Sequence, residues 1–226
     1  MVHSTWGEWF TAALLDPGLN ELLGRDRPRY RQTADPAGRL RFAVSRVILK
    51  HAAAQVLNVA PTDLDLAYQL GGRPTLRGLG EELHLSLAHT DDLVVVGLSG
   101  AGPVGVDAES VTRRISLDLL RDHVCTPREA EALAALPDEE STAAFLRLWT
   151  LKEAYTKALG QGMRRRFAAV GFRWEDGGAA VLEEDSADAR EWTFVTHLVQ
   201  GGYLVSEAHR AASALALPGA GSPGGR

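Results

Sequence analysis

Lys152 and Lys157 flank Glu153 in the stretch WTLKEAYTKALGQG (149–162), in a chain that places arginine at 21 of its 24 basic positions and lysine only at 50, 152 and 157. Lysine is a compact, titratable point charge, whereas arginine is a fixed planar fork. Two lysines beside a glutamate therefore look chosen for their chemistry. Trp149, Glu153 and Lys157 are spaced i, i+4, i+8 and share one helix face. Taken alone, Glu153 and Lys157 equally form a stabilising helix pair of about 0.2 to 0.5 kcal/mol. A second acidic group lies upstream in VGVDAES (104–110), where Asp107 and Glu109 stand two apart and so point the same way from an extended strand end. With Glu153 they offer three hard oxygen donors, a set that suits Mg²⁺, or Mn²⁺ in its place. His89, at the end of SLAHT (86–90), fits either a core histidine or a ligand.

Several elements must position these groups. Apolar residues Leu40, Val44, Val47, Ile48, Ala52 and Val56 recur at helical spacing and predict a helix over 38–57, with Arg39, Arg46 and Lys50 on or beside its other face. After the turn Gly71-Gly72-Arg73-Pro74, two strand-like runs (83–90 and 93–100) separated by Asp91-Asp92 predict a hairpin. The run 104–110 begins as a buried strand. Thr126-Pro127-Arg128-Glu129 is a helix start with a capping box, and a long helix is expected over 140–159, stopped by Gly160. Strand candidates follow in FAAVGFRW, WTFVTHLV and YLVSEAH, and LPGAGSPGGR (217–226) is expected to be disordered. A short amphipathic helix (Trp6, Phe10, Leu14) precedes the turn Asp16-Pro17-Gly18. Both halves thus run from helix to sheet, so the class is α/β (α+β), divided at 1–103 and 104–216.

At 226 residues, 45% hydrophobic and with a net charge of −5, the chain reads as a soluble globular protein. It has no run of about 18 apolar residues and no charged-then-apolar N-terminus, which argues against a membrane span or signal peptide and leads to a cytoplasmic expectation. The single cysteine, Cys125, reads as a bystander thiol. From Arg25 to Lys50, eight basic residues face only Asp26 and Asp35. One basic segment in an acidic chain points to a polyanionic ligand of limited size and away from nucleic acid.

The succession GGRP (71–74), SLAHT (86–90), VGVDAE (104–109) and WTLKEAYTK (149–157) resembles the Sfp-type 4′-phosphopantetheinyl transferases, whose signatures are G-[KR]-P, S-H-[ST], G-[IV]-D-x-E and W-x-x-K-E-[AS]-x-x-K. The likeness covers about residues 38–172. It implies two similar α/β halves related by a pseudo-twofold, with the site in the cleft between them. It also implies transfer of phosphopantetheine from coenzyme A to a serine of a carrier protein, with release of 3′,5′-ADP. Asp107, Glu109 and Glu153 would hold Mg²⁺ against the pyrophosphate. Arg73 and His89 would grip the 3′-phosphate and nearby oxygens, in the segments that carry Pro74 and Thr90, with Arg41 and Arg46 as further phosphate ligands. Lys152 and Lys157 would meet the charge developing on the leaving phosphate oxygen of 3′,5′-ADP, and Glu153 would take the serine proton, directly or through a metal-bound water. The chain departs from the pattern at Ala88, where the family has serine. The resemblance further implies an acidic acyl or peptidyl carrier domain as partner, met by Arg113, Arg114 and the run Arg164 to Arg166, and a monomer without nucleic-acid or membrane partners. Two other readings are a Mg²⁺-dependent hydrolase of nucleotide diphosphates and a non-catalytic coenzyme A-binding module.

Overall fold

A computed structural model of the chain describes residues 1–78, 83–161, 166–175, 178–184 and 186–210. The first half holds β1 (Val2–Thr5), α1 (Trp6–Leu15), α2 (Leu19–Leu23), α3 (Arg27–Gln32), α4 (Pro36–Leu57), β2 (Leu66–Tyr68), β3 (Pro74–Leu76), β4 (His84–Thr90) and β5 (Leu93–Ser99). The second holds β6 (Val104–Ser110), α5 (Leu117–Val124), α6 (Pro127–Ala134), α7 (Asp138–Ala158), β7 (Phe172–Trp174), β8 (Ala180–Leu182), α8 (Ala187–Arg190), β9 (Trp192–Val199) and β10 (Tyr203–Arg210).

The two halves repeat one plan. Each opens on a strand, passes through short helices to one of 22 or 21 residues, makes a small two-stranded excursion (β2–β3, β7–β8) and closes with a hairpin. The sheet orders correspond, β1-β5-β4 in the first half and β6-β10-β9 in the second, which continues into β8 and β7. All the pairings are antiparallel. The mixed helix-and-sheet class and the helix-then-sheet order are borne out.

Local chemistry explains the long helices. α4 starts where Asp35 accepts a hydrogen bond from the Gly38 N–H at 2.6 Å with Pro36 at the first position, and it ends on Asn58 in the left-handed conformation. α7 begins two residues earlier than expected, with Asp138, Glu139 and Glu140 against its positive end and Lys157 in its last turn.

The period-2 alternation of the strands builds three layers of core. In β5, Val94 and Val96 pack toward α4 with Trp6, Leu49 and Leu85, while Leu93 and Val95 face the second half. There they meet Val106 and Ala108 of β6 and Val205 of β10, forming the apolar part of a seam between the two halves. The opposite face of β6 lies on α7, whose Phe145, Leu151 and Tyr155 join Phe172, Trp192 and Phe194 in the second core.

Two expectations shift. FAAVGFRW is a 3₁₀ turn (Phe167–Ala169) followed by only three strand residues, because Gly171 and the turn interrupt the apolar run. β1 went unforeseen: four residues are too few to show a period, and pairing with β5 (Val2 opposite Val96) supplies what the local pattern lacks. The expected tail 217–226 lies outside the described residues. Among the described residues no helix is long and apolar enough to cross a membrane.

Candidate active site

Gly105 is the residue that lets β6 touch α7. A Cβ there would stand 1.9 Å from the Ala154 carbonyl oxygen and 2.5 Å from the Ala158 nitrogen, so only glycine fits. The close approach brings the odd-numbered side chains of β6 under the last turns of α7. Lys157 Nζ donates to Asp107 Oδ1 at 2.7 Å and to the Val106 carbonyl at 3.2 Å.

The electrostatics of this contact are unbalanced. Burial raises the Asp107 carboxyl above its usual range, against the opposing pull of Lys157 and Arg113. Glu153, one turn before Lys157 and half-buried, is also raised, first by loss of hydration and then by the Asp107 charge. Two acids that resist ionisation side by side favour an added cation. Glu109, two residues along the strand from Asp107, is ion-paired with Arg113 and accepts a hydrogen bond from Thr90 Oγ1 at 3.4 Å. Arg113 in turn lies over the Trp149 ring, 5.6 Å from its centroid.

Cations gather from the first half. Burial, then Lys157, Arg46 and Arg41, lower the His89 imidazole, which places these four groups in one positive neighbourhood. The His89 ring leans on Trp6 with centroids 5.7 Å apart. Arg46 is held rather than loose: its Nε donates to the Tyr68 hydroxyl at 3.1 Å and lies 3.6 Å from Asp26, and its guanidinium covers the Phe42 ring at 4.1 Å. Tyr68 itself donates to Asp26, and burial pushes its hydroxyl up to about 12. Arg41 is exposed.

The GGRP turn docks on the end of α7. Gly71, at φ +110°, approaches the Gly160 carbonyl so closely that a Cβ would lie 3.3 Å from it. Arg73 Nη1 donates to the Ala158 carbonyl at 2.9 Å, and Nη2 lies 3.2 Å from His84 Nδ1. Arg73 therefore clasps the negative end of the helix across the seam, where the family resemblance implied a phosphate ligand. Pro74 and Lys157 line the same pocket with Gly71, Gly72, Ser86 and Leu87. Ala88 lies buried in the seam core, so only its backbone is left for polar contact.

Lys152 requires a correction. Its side chain is wholly buried on the far side of α7, where Nζ bonds the Val124 carbonyl at 2.7 Å, Glu129 Oε2 at 2.5 Å and the Phe167 carbonyl at 3.2 Å. It faces away from Asp107 because adjacent helix residues are rotated by about 100°, and Glu153 takes the cleft side. Sequence reading saw Glu129 only as the capping-box acid. Asp26 and Tyr68, which hold Arg46, left no signal, since their spacing from it in sequence follows no local period.

Among the described residues no three histidine, cysteine or acidic side chains converge to hold a metal ion. Asp107 and Glu109 are instead engaged by Lys157 and Arg113. The donor chemistry nevertheless fits Mg²⁺: Asp107 and Glu109 share one face of β6, and Glu153 feels the Asp107 charge directly. Arg113 would have to release Glu109. At the rim Arg113, Arg114 and Arg166 are exposed, and Arg164 and Arg165 lie outside the described residues.

Fold and site define a paired helix-on-sheet protein whose seam sets hard carboxylate oxygens against lysine, histidine and arginine, an arrangement suited to a phosphate-bearing ligand and a divalent cation. Residues 103–212 match the model of the 4′-phosphopantetheinyl transferase superfamily. Over 132 residues the chain is 34% identical to the 4′-phosphopantetheinyl transferase HetI of Nostoc sp., covering 58% of this chain and 56% of that protein. It is 28% identical to a phosphopantetheinyl transferase of Thraustochytrium sp., over 92% of this chain and 76% of the relative. The chain covers 56% and 61% of the length of two bacterial relatives, HetI and a Synechocystis protein described as a putative 4′-phosphopantetheinyl transferase. A crystal structure of a holo-(acyl-carrier-protein) synthase from Bacillus anthracis in complex with CoA (3′,5′-ADP) gives a TM-score of 0.43 at 21% identity, over 50% of this chain and 98% of that one. The family model and the similar sequences bear out the resemblance read from the four motifs.

Proposed function

We propose that this protein transfers the 4′-phosphopantetheine group of coenzyme A to a serine of an acyl or peptidyl carrier protein and releases 3′,5′-ADP. The observation that carries the reading is the meeting of all four motifs at one seam: Lys157 touches both Asp107 of β6 and the pocket of the GGRP turn, and its charge reaches His89. The first half, 1–103, contributes the phosphate-binding cations, and the second, 104–216, contributes the carboxylates.

In this reading Arg41, Arg46 and His89 take the 3′-phosphate and neighbouring oxygens, and Arg73 and Pro74 shape the pocket beside them. A bound polyanion would oppose the lowering of His89 that Lys157, Arg46 and Arg41 produce. Asp107, Glu109 and Glu153 are the residues that would hold Mg²⁺ or Mn²⁺, which supplies charge stabilisation at the diphosphate. Lys157 sets its ammonium against the negative charge that grows as the bond between phosphorus and the ADP oxygen breaks. Glu153 accepts the serine proton as the new oxygen–phosphorus bond forms. The enzyme works as a cytoplasmic monomer with acidic carriers as partners and without nucleic acid or membrane, and Arg113 and Arg114 present exposed charge to the carrier.

Two measurements check the reading. Chromatography of a reaction containing coenzyme A, Mg²⁺ and apo carrier is expected to show 3′,5′-ADP forming in step with holo carrier. ADP formed equally without carrier, with phosphopantetheine released to water, would make the protein a hydrolase. Arg41→Ala is expected to raise the KM for coenzyme A by roughly tenfold while kcat changes little, the pattern of a uniform binding contact.

A further inference from the structure

The motif W-x-x-K-E sets two chemically active residues side by side, and the helix lets only one of them face the seam. Glu153 takes that place, beside Asp107. Lys152 points the other way, into a closed site made by three neighbouring elements. All three ammonium protons are met there, by the Val124 carbonyl at the end of α5, by Glu129 of α6 and by the Phe167 carbonyl of the turn before β7. Glu129 completes the arrangement. Its Oε2 also accepts from the Thr126 N–H at 2.7 Å and its Oε1 accepts from the Phe172 N–H at 2.8 Å. One buried ion pair thus ties α5, α6 and β7 to the turn of α7 that carries Glu153.

The residue types follow from the geometry. Three oxygens converging on a point accept a compact ammonium, whereas a guanidinium fork is planar and too broad. In a chain that otherwise uses arginine, this explains lysine at 152 without any contact to phosphate. Burial lowers the Lys152 pKa while Glu129 opposes that shift, so the pair is mutually dependent.

We propose that Lys152 and Glu129 form a positioning pair that sets the rotation of α7, and thereby aims the Glu153 carboxylate at the seam, and that the Lys152 charge takes no part in binding coenzyme A. The inference rests on the transfer reading above.

The test uses the full chain in three forms, Lys152→Met, Glu129→Gln and the combined Lys152→Met/Glu129→Gln, with thermal unfolding, kcat, KM for coenzyme A and calorimetric coenzyme A affinity measured for each. Each single change leaves one buried charge unpaired. Both singles are expected to unfold several degrees lower and to lose roughly tenfold or more in kcat, with KM and affinity for coenzyme A within about twofold, since misaimed catalytic groups cost turnover before binding. The combined variant is expected to regain much of both losses, because coupled sites are not additive. A combined variant that is folded yet inactive, or that binds coenzyme A tenfold more weakly, would make Lys152 a phosphate ligand and overturn the proposal. If the combined variant does not fold, Glu129→Gln decides: full kcat in that variant overturns the proposal, and a loss of kcat at unchanged KM upholds it. A wild-type protein that transfers nothing sinks the transfer reading with it, whereas a transferring wild type beside a folded, dead combined variant sinks this proposal alone.

Discussion

Glu153→Gln is expected to lower turnover by about 10²- to 10⁴-fold, the range typical of a lost general base, while calorimetric affinity for coenzyme A stays within a few-fold. Glutamine keeps the size of the side chain and removes the proton acceptor and one negative charge. In the transfer reading the same residue would govern the acid side of the pH profile. Without metal its carboxyl is raised by burial and then by Asp107, a bound divalent cation would pull it down again, and as a base it must be ionised to accept a proton. Activity is therefore expected to fall on the acid side, with a limb that moves to lower pH as Mg²⁺ is raised toward saturation. Most of the activity surviving in Glu153→Gln, with the metal requirement unchanged, would remove Glu153 from the base role.

The second large effect is expected from Gly105→Ala, a change of one methyl group. The new Cβ has no room: the Ala154 carbonyl oxygen lies 1.9 Å from its position, and backbone atoms cannot rotate away as a side chain would. β6 and α7 must part, and the Asp107–Lys157 contact opens with them. Overpacking of this kind costs about 1 to 3 kcal/mol, which is roughly 2 to 4 °C of Tm per kcal/mol for a chain of this size. Turnover is expected to fall further than stability, by about 10²-fold, because displacements near 1 Å at a catalytic group have that cost. Gly7→Ala is the matched control, since nothing lies within 4 Å of its Cβ position in α1. Equal Tm and activity in Gly105→Ala and wild type would contradict the account of the β6–α7 contact.

The elements were legible where period and caps agreed. The α4 pattern, the hairpin of β4 and β5 and the Thr126 capping box all arise from near neighbours in sequence. The pairing of β6 with β10 joins residues about a hundred positions apart, which no local period encodes. The carboxylates of the seam were legible because the strand period fixes that Asp107 and Glu109 share a face. Lys152 was misread for the converse reason: a motif shows that a lysine is required and not which way it points, and its orientation depends on Glu129, which lies 23 residues away on another helix. The bond of Arg73 to the Ala158 carbonyl left no signal either, because that partner belongs to the other half of the molecule. Residues that serve the ligand and residues that hold the two halves together carry the same basic chemistry, and only the contacts separate them.

Intact mass of an apo carrier protein, after incubation with this protein, coenzyme A and Mg²⁺, tests the central claim most directly. Controls are a reaction with EDTA and a carrier whose acceptor serine is replaced by alanine. The account predicts a gain of one phosphopantetheine, lost with EDTA and absent from the serine variant. An unchanged carrier mass across several acyl and peptidyl carriers, with coenzyme A bound or cleaved instead, would contradict it.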